Sequence, residues 1–301
     1  MSVKDLFLVL VCGLACACQA GAQESSTLRK IRETGIITVG FRDSSIPFSY
    51  LDRQQRPIGY SIDLCHKIVD ALKERLKLPA LELQFRPVTS ANRIALVANG
   101  IVDIECGSTS NTLERQKSVG FSVTTFVALS SLMSKKPANI QSLQELRGQV
   151  VASTAGTTSI KALAELNRTQ GLDMQIVAGK DHADAFQLLE SGRADAFVMD
   201  DVLLYGLAAS ARKPADYVIA SVDLSVDPYG IMLPKNDPEF KKIADQAIVE
   251  LFRSGEINQL YQKWFLTPIP PNKIQLQLPM SAVLRRVIAN PTDSGNLGDY
   301  R

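Results

Sequence analysis

From Ile36 to Phe265 short apolar runs alternate with longer stretches in which apolar residues recur every three or four positions. These are the spacings of buried strands and one-faced helices. Residues 36–41 predict a strand. Residues 61–77 predict a helix with Ile62, Cys65, Ile68, Val69, Leu72 and Leu76 on one face. Leu81, Leu83 and Phe85 then alternate with Glu82, Gln84 and Arg86, as in a half-buried strand. A helix over 91–98 ends at Asn99-Gly100, and a strand over 102–106 follows. The pattern restarts after Met133 with a short helix at 142–146, a strand at 150–153, and a helix opened by Ala155-Gly156-Thr157-Thr158. A strand at 174–177, a helix at 181–190 stopped by Ser191-Gly192, and a strand at 196–199 come next. Beyond these lie a strand at 229–233, an amphipathic helix at 238–254 and a second helix ending at Trp264-Phe265. The segment after Pro268 has several prolines and a polar end, and is expected to lie along the surface or to be disordered.

This alternation predicts an α/β fold of parallel strands. At 301 residues the chain exceeds the usual size of a single core, so two lobes are expected. The halves share a grammar, in which Asn99-Gly100 leads to Ser108 and Ser191-Gly192 leads to Asp200, each polar residue eight positions after its glycine. Two similar lobes presenting the carboxyl ends of their strands to one cleft would follow.

Charge excludes one class of partner. The 33 basic and 31 acidic residues are mixed along the chain, with no basic run, so nucleic acid is not an expected ligand. The amino terminus, with Lys4, an apolar stretch over 6–17 and small residues at Ala20, Gly21 and Ala22, reads as a secretory signal peptide over 1–22. Its apolar run is shorter than the roughly 20 residues that span a bilayer, and Cys16 and Cys18 lack the lead-in of a lipid-modified cysteine. Cys12, Cys16 and Cys18 would leave with the signal. Cys65 and Cys106 remain, as a disulfide or as two buried thiols. Two histidines and two distant cysteines offer no metal-ligand spacing, and neither metal nor cofactor is expected.

The candidate chemistry begins in residues 100–122. A buried strand runs into Ser108, Thr109 and Ser110, where a helix is expected to begin, and Arg115 lies about one turn further on. Backbone N–H groups at a helix start attract anions, and a guanidinium grips a carboxylate through two parallel hydrogen bonds. In the second half Thr158 stands at a helix start and Asp200 at a strand end. Plain structural roles exist for each: Thr157-Thr158 and Asp181 as helix caps, Asp201 as the cap of the following helix, and Phe48, Tyr50, Phe121 and Trp264 as packing rather than ligand-stacking groups.

From about Thr27 to Pro271 the chain resembles the family 3 bacterial extracellular solute-binding proteins of ABC importers, and among them the binders of acidic amino acids. The resemblance rests on ordered blocks: Val-Gly-Phe-Arg-Asp-Ser-Ser-Ile-Pro-Phe-Ser-Tyr (39–50), Gly-Tyr-Ser-Ile-Asp-Leu (59–64), Thr-Ser-Ala-Asn-Arg (89–93), the 100–122 stretch, Ala-Gly-Thr-Thr-Ser (155–159), Lys-Asp-His-Ala-Asp-Ala-Phe (180–186), Met-Asp-Asp (199–201) and Lys-Trp-Phe (263–265). It departs at Ser110, where threonine is expected, and at Cys65, where a polar or aromatic residue is usual.

The resemblance implies a two-lobed periplasmic-binding-protein type II fold, two open α/β lobes joined by a two-strand hinge that closes around its ligand. Lobe 1 would comprise 27–127 and 230–267, lobe 2 would comprise 128–225, and 268–301 would be a tail. Arg115 would take an α-carboxylate with Ser108, Ser110 and Thr158, and Asp200 would take the ammonium. Arg42, Ser90, Arg93 and His182 match positions that hold a side-chain carboxylate. The implied ligand is L-glutamate or L-aspartate, the implied partner an inner-membrane ABC permease, the compartment the periplasm, and the chain a monomer. Two other classes compete. A periplasmic dehydratase-like enzyme of the same fold would need a general acid or base such as Glu105, Asp200 or Asp201. A sensor would present the liganded clamp to a separate receptor.

Overall fold

The computed structural model describes residues 25–301, so the expected signal peptide over 1–22, with its three cysteines, lies outside the described residues. Helix α1 (Ser26–Thr34) leads into strand β1 (Ile36–Phe41), the short strands β2 (Ser44–Ser45), β3 (Ser49–Leu51) and β4 (Pro57–Ile58), and helix α2 (Tyr60–Leu76). Strand β5 (Glu82–Pro87), helix α3 (Arg93–Ala98), and strands β6 (Ile104–Glu105) and β7 (Val119–Phe121) follow. The second half runs β8 (Phe126–Lys135), β9 (Val150–Thr154), α4 (Thr158–Gln170), β10 (Gln175–Gly179), α5 (His182–Glu190), β11 (Ala196–Asp200), α6 (Asp201–Ser210) and β12 (Tyr217–Tyr229). Strand β13 (Met232–Pro234) and helices α7 (Pro238–Ser254), α8 (Glu256–Tyr261) and α9 (Ala282–Ala289) complete the described chain.

Each lobe is built on a five-stranded sheet, ordered β5-β1-β6-β13-β7 in one and β10-β9-β11-β8-β12 in the other. The expectation of parallel strands holds for β5-β1-β6 and for β10-β9-β11 only. Strand β13 runs antiparallel to β6 and β7, and β8 antiparallel to β11 and β12. The reversal has a topological cause, because β8 and β12 carry the chain between lobes and so enter the second sheet from the cleft end. They pair from Phe126↔Tyr229 to Lys135↔Tyr217, with an irregularity between Ser221 and Val226. The single strand expected over 229–233 is likewise divided. Tyr229 ends β12, the Gly230 N–H donates to the Thr109 carbonyl and the Ile231 N–H to Ser122 Oγ, and β13 starts only at Met232.

The core follows the periodicity. The apolar face of α2, with Ile62, Cys65, Ile68, Val69 and Leu72, is buried in a cluster that includes Phe240, Ile243, Ile248 and Leu251 of α7. Val88, Val97, Val102, Val119, Phe121 and Met232 form a second cluster in the same lobe. In the other lobe Leu132, Leu146, Val151, Leu163, Met174 and Val198 pack together. Burying each such side chain contributes about 1.5–3 kcal/mol before chain entropy is counted. Cys65 and Cys106 form a disulfide with Cα atoms 6.3 Å apart, which ties α2 to the segment just ahead of Gly107. The carboxyl-terminal segment is ordered along the surface. Thr124 and Leu113 donate backbone hydrogen bonds to the Thr292 and Gly295 carbonyls, and Val287 and Tyr300 pack with Val127 and Val226 of the connecting strands.

Candidate functional site

Strand β1 ends at Phe41 and delivers Arg42 to the interior, where its N–H donates to Ser49 Oγ at 2.8 Å. The Arg42 side chain is 1% exposed, and its Nη1 and Nη2 have no hydrogen-bond partner. Burial, reinforced by the charge of Arg93, lowers its pKa to about 9. Ahead of α3, Thr89 and Asn92 exchange hydrogen bonds, the Thr89 N–H donating to Asn92 Oδ1 at 2.8 Å and the Asn92 N–H to Thr89 Oγ1 at 3.2 Å. This turn holds Ser90 inside and starts the helix at Arg93. Arg93 donates from Nη1 to the Ser108 carbonyl at 3.2 Å, and its Nε is unpartnered.

The helix expected to begin at Ser108–Ser110 does not form. Ser110 pairs as an isolated bridge with Tyr229, the Asn111 N–H donates to the Pro228 carbonyl at 2.7 Å, and the Gly230 N–H donates to the Thr109 carbonyl at 3.1 Å. The returning strand thus takes the backbone groups that a helix would have used. A 3₁₀ turn over Arg115–Lys117 comes later. Arg115 reaches back from there, donating from Nη1 to the Ser110 carbonyl at 2.8 Å and from Nη2 to the Gly156 carbonyl in the other lobe at 3.3 Å. Burial and Arg93 lower its pKa to about 10.

In the second lobe Thr157 caps α4, accepting from the Ile160 N–H at 3.2 Å. Thr158 Oγ1 donates to Asp227 Oδ1 at 2.6 Å and lies 3.4 Å from Ser110 Oγ across the cleft. Asp181 caps α5, so that His182 opens the helix with Nδ1 2.9 Å from Thr154 Oγ1 and Nε2 buried and unpartnered. Burial first, then Arg42 and Arg93, hold the imidazole well below its usual pKa and therefore neutral. Asp200 ends β11, fully buried, accepting from Ser159 Oγ at 3.0 Å and from the Tyr229 hydroxyl. Burial and the neighbouring Asp227 push its pKa well above the carboxylate range. Asp201 accepts from the Val202 and Leu129 N–H groups, as a helix-starting residue does.

The expected residues Arg42, Ser90, Arg93, Ser108, Ser110, Arg115, Thr158, His182 and Asp200 are thus brought to one inter-lobe region. The lobes touch there: a Cβ on Gly156 would lie 2.7 Å from the Ser90 carbonyl oxygen and from Ala91 Cα. Sequence reasoning missed Asp227 and Tyr229, and left Glu105 without a binding role. Asp227 is completely buried on β12, where it accepts from Thr158 Oγ1 and Ser225 Oγ. Glu105 is buried behind the arginines, its Oε2 accepting from Thr109 Oγ1 at 2.6 Å. Phe48 and Tyr50 are packing residues. Phe48 meets Tyr60, Phe126, Tyr229 and Phe265 edge-on, and Tyr50 donates to the Pro270 carbonyl.

Two chemically distinct ends result. One gathers buried polar groups without partners, Arg42 Nη1 and Nη2, Arg93 Nε, Ser90 Oγ and His182 Nε2. Unsatisfied buried groups are rare because each costs about 1–3 kcal/mol, more when charged. The other end holds Asp200, a carboxylate whose charged form a cation would restore. A small zwitterion with an additional anionic group fits both ends.

The family model described as bacterial extracellular solute-binding proteins, family 3, matches residues 37–267. An L-glutamate/L-aspartate-binding protein of Pseudomonas aeruginosa is 50% identical over 289 residues, covering 96% of each chain. A glutamate/aspartate import solute-binding protein of Salmonella typhimurium is 46% identical, covering 97% of each. Among solved structures, an ancestral arginine-binding protein bound to arginine superposes with a TM-score of 0.69 at 27% identity, covering 77% of this chain and 99% of that one.

Proposed function

The chain belongs to the bacterial extracellular solute-binding proteins, family 3, and from that premise we propose that it is the ABC-importer component that captures L-glutamate or L-aspartate. It closes its lobes on the amino acid and presents it to an inner-membrane permease. Like its curated relatives it is a binding protein and not an enzyme. It acts as a monomer in the periplasm; among the described residues no helix is long and apolar enough to cross a membrane.

The observation that carries the specificity is the Arg42 guanidinium, 1% exposed with both terminal nitrogens unpartnered, beside Arg93 and His182. A ligand side-chain carboxylate would satisfy these donors together with Ser90 Oγ. At the other end Arg115, with Ser108, Ser110 and Thr158, takes the α-carboxylate, and Asp200, held by Ser159 and Tyr229, takes the ammonium. L-Glutamine has the reach of L-glutamate but no second charge, and truncating one partner of a buried charge pair typically costs about 2–5 kcal/mol.

The test is calorimetric titration of the mature protein with L-glutamate, L-aspartate and L-glutamine, after unfolding and refolding without reductant to strip bound amino acid. Both acids are expected to bind far more tightly than glutamine, and Arg42→Ala to erase that difference. Equal affinity for glutamine and the acids in the unaltered protein would overturn the reading.

A further inference from the structure

Glu105 is a completely buried acidic side chain set among the cationic donors that face the proposed side-chain subsite, and the ligand contacts proposed above do not use it. It ends β6, is completely buried, and has one oxygen fixed by Thr109 Oγ1 at 2.6 Å. The other oxygen is unpartnered and lies 4.0 Å from Arg93 Nη1. A Cβ on Gly107 would strike Glu105 Oε1 and would come within 2.9 Å of Arg42 Cγ. Glycine therefore lets the Glu105 carboxylate and the Arg42 stem share this space.

At 4.0 Å the Glu105–Arg93 pair is an ion pair without a hydrogen bond, so it acts chiefly by charge. Arg42 and Arg93 repel one another, and each is stabilised by Glu105. His182 is neutral here. Among the buried side chains the fixed charges of this subsite are then two positive and one negative, a net single positive charge, which one ligand carboxylate neutralises; Asp181 and Asp43, which are not buried, also stabilise Arg42 but less than Glu105 does.

We propose that Glu105 is a specificity-determining counter-charge, which sets the side-chain subsite to accept one negative charge and acts on the ligand through Arg42 and Arg93. This rests on the acidic-amino-acid reading above and deepens it. It makes a prediction that a purely structural glutamate would not. Arg93→Gln leaves Arg42 and Glu105 to cancel, so the preference for acid over neutral side chain collapses. Adding Glu105→Gln to Arg93→Gln restores a net single positive charge and therefore restores the preference, although it removes a second native side chain.

The experiment is calorimetric titration of the unaltered protein, Arg93→Gln, Glu105→Gln and the double variant with L-glutamate and L-glutamine, reading the ratio of the two affinities. Arg93→Gln should lower the ratio about 100-fold, and the double variant should regain at least about tenfold of that, the signature of coupled sites. Glu105→Gln alone should raise the ratio while lowering the melting temperature of the unliganded protein. A double variant whose ratio is no better than that of Arg93→Gln would overturn the counter-charge role even if the unaltered protein prefers glutamate. An unaltered protein without that preference would instead overturn the acidic-ligand reading.

Discussion

Replacing Gly156 by alanine tests whether ligand capture depends on contact between the lobes at this residue. Two effects are separable. Gly156 has φ +76°, where a Cβ costs about 1–2 kcal/mol whether the lobes are open or closed. The second effect exists only when they close. The new Cβ would lie 2.7 Å from the Ser90 oxygen and Ala91 Cα and 2.8 Å from Ala91 N. Relief to ordinary contact requires the lobes to part by roughly 0.7 Å or more. The cross-lobe hydrogen bonds from Arg115 Nη2 to the Gly156 carbonyl and between Ser110 and Thr158 stand at 3.3 and 3.4 Å, so such parting breaks both. One charged and one neutral bond together amount to about 2–4 kcal/mol, or roughly 30- to 1,000-fold in affinity. Gly171→Ala is the control, because Gly171 also has positive φ, +56°, but nothing lies within 4 Å of its added Cβ. Calorimetric titration with L-glutamate, alongside denaturant unfolding of the unliganded proteins, should show both variants losing stability and Gly156→Ala alone losing affinity. Unchanged glutamate affinity in Gly156→Ala would refute the closure argument.

Arg115→Ala should abolish binding of every amino acid tested, acidic or neutral; retained glutamine or glutamate binding by calorimetry would place the α-carboxylate elsewhere. Cys65→Ser/Cys106→Ser opens a loop with a sequence separation of 41 and should cost about 4 kcal/mol in the chain-entropy picture, read as a lower denaturant midpoint. His182 has a folded-state pKa below its unfolded value, so its contribution to stability is present above the unfolded pKa of about 6.5 and is lost as pH falls through and below it. Asp200, with its raised pKa, works in the opposite direction. The difference between unaltered protein and His182→Asn in unfolding free energy between pH 7.5 and 5.5 therefore isolates the imidazole, and a pH-independent difference would contradict its buried, neutral state.

What could be read in the sequence followed from periodicity and from side chains whose chemistry is local. The apolar face of α2 and the whole span of α7 emerge from their three-and-four spacing, and Asp181 and Thr157 act as the caps their positions announce. The errors lie where distant chain segments meet. Ser108–Ser110 has the composition of a helix start, but Pro228, Tyr229 and Gly230 take its backbone partners from more than a hundred residues away. The reversed direction of β8 and β13 is equally invisible locally, since a short apolar strand reads the same either way. In the tail, Leu284 and Val287 stand three apart and anchor α9, a signal that the surrounding prolines and polar residues obscured.

The same distinction explains the candidate site. Arg115 could be singled out because a guanidinium one turn beyond a run of hydroxyls suits an anion, and Arg42 and Arg93 through the resemblance to a family. The structure gathers all three from separate elements. Their balancing acids could not be recognised as such: Asp227 goes unnoticed in the sequence, and Glu105 is weighed there only as a catalytic group. Glu105 ends β6 and Asp227 lies within β12, where a carboxylate in sequence looks like a solvated edge residue, yet both are completely buried. Only the folded arrangement shows that Glu105 lies behind the arginines while Asp227 lies on the Thr158 side of the cleft. A subsite that must hold one anion needs positive charge in excess by one, not by two, because a surplus guanidinium in a closed cavity would carry its desolvation cost without a partner. Under the counter-charge proposal Glu105 is therefore as much a part of ligand selection as the arginines that advertised it.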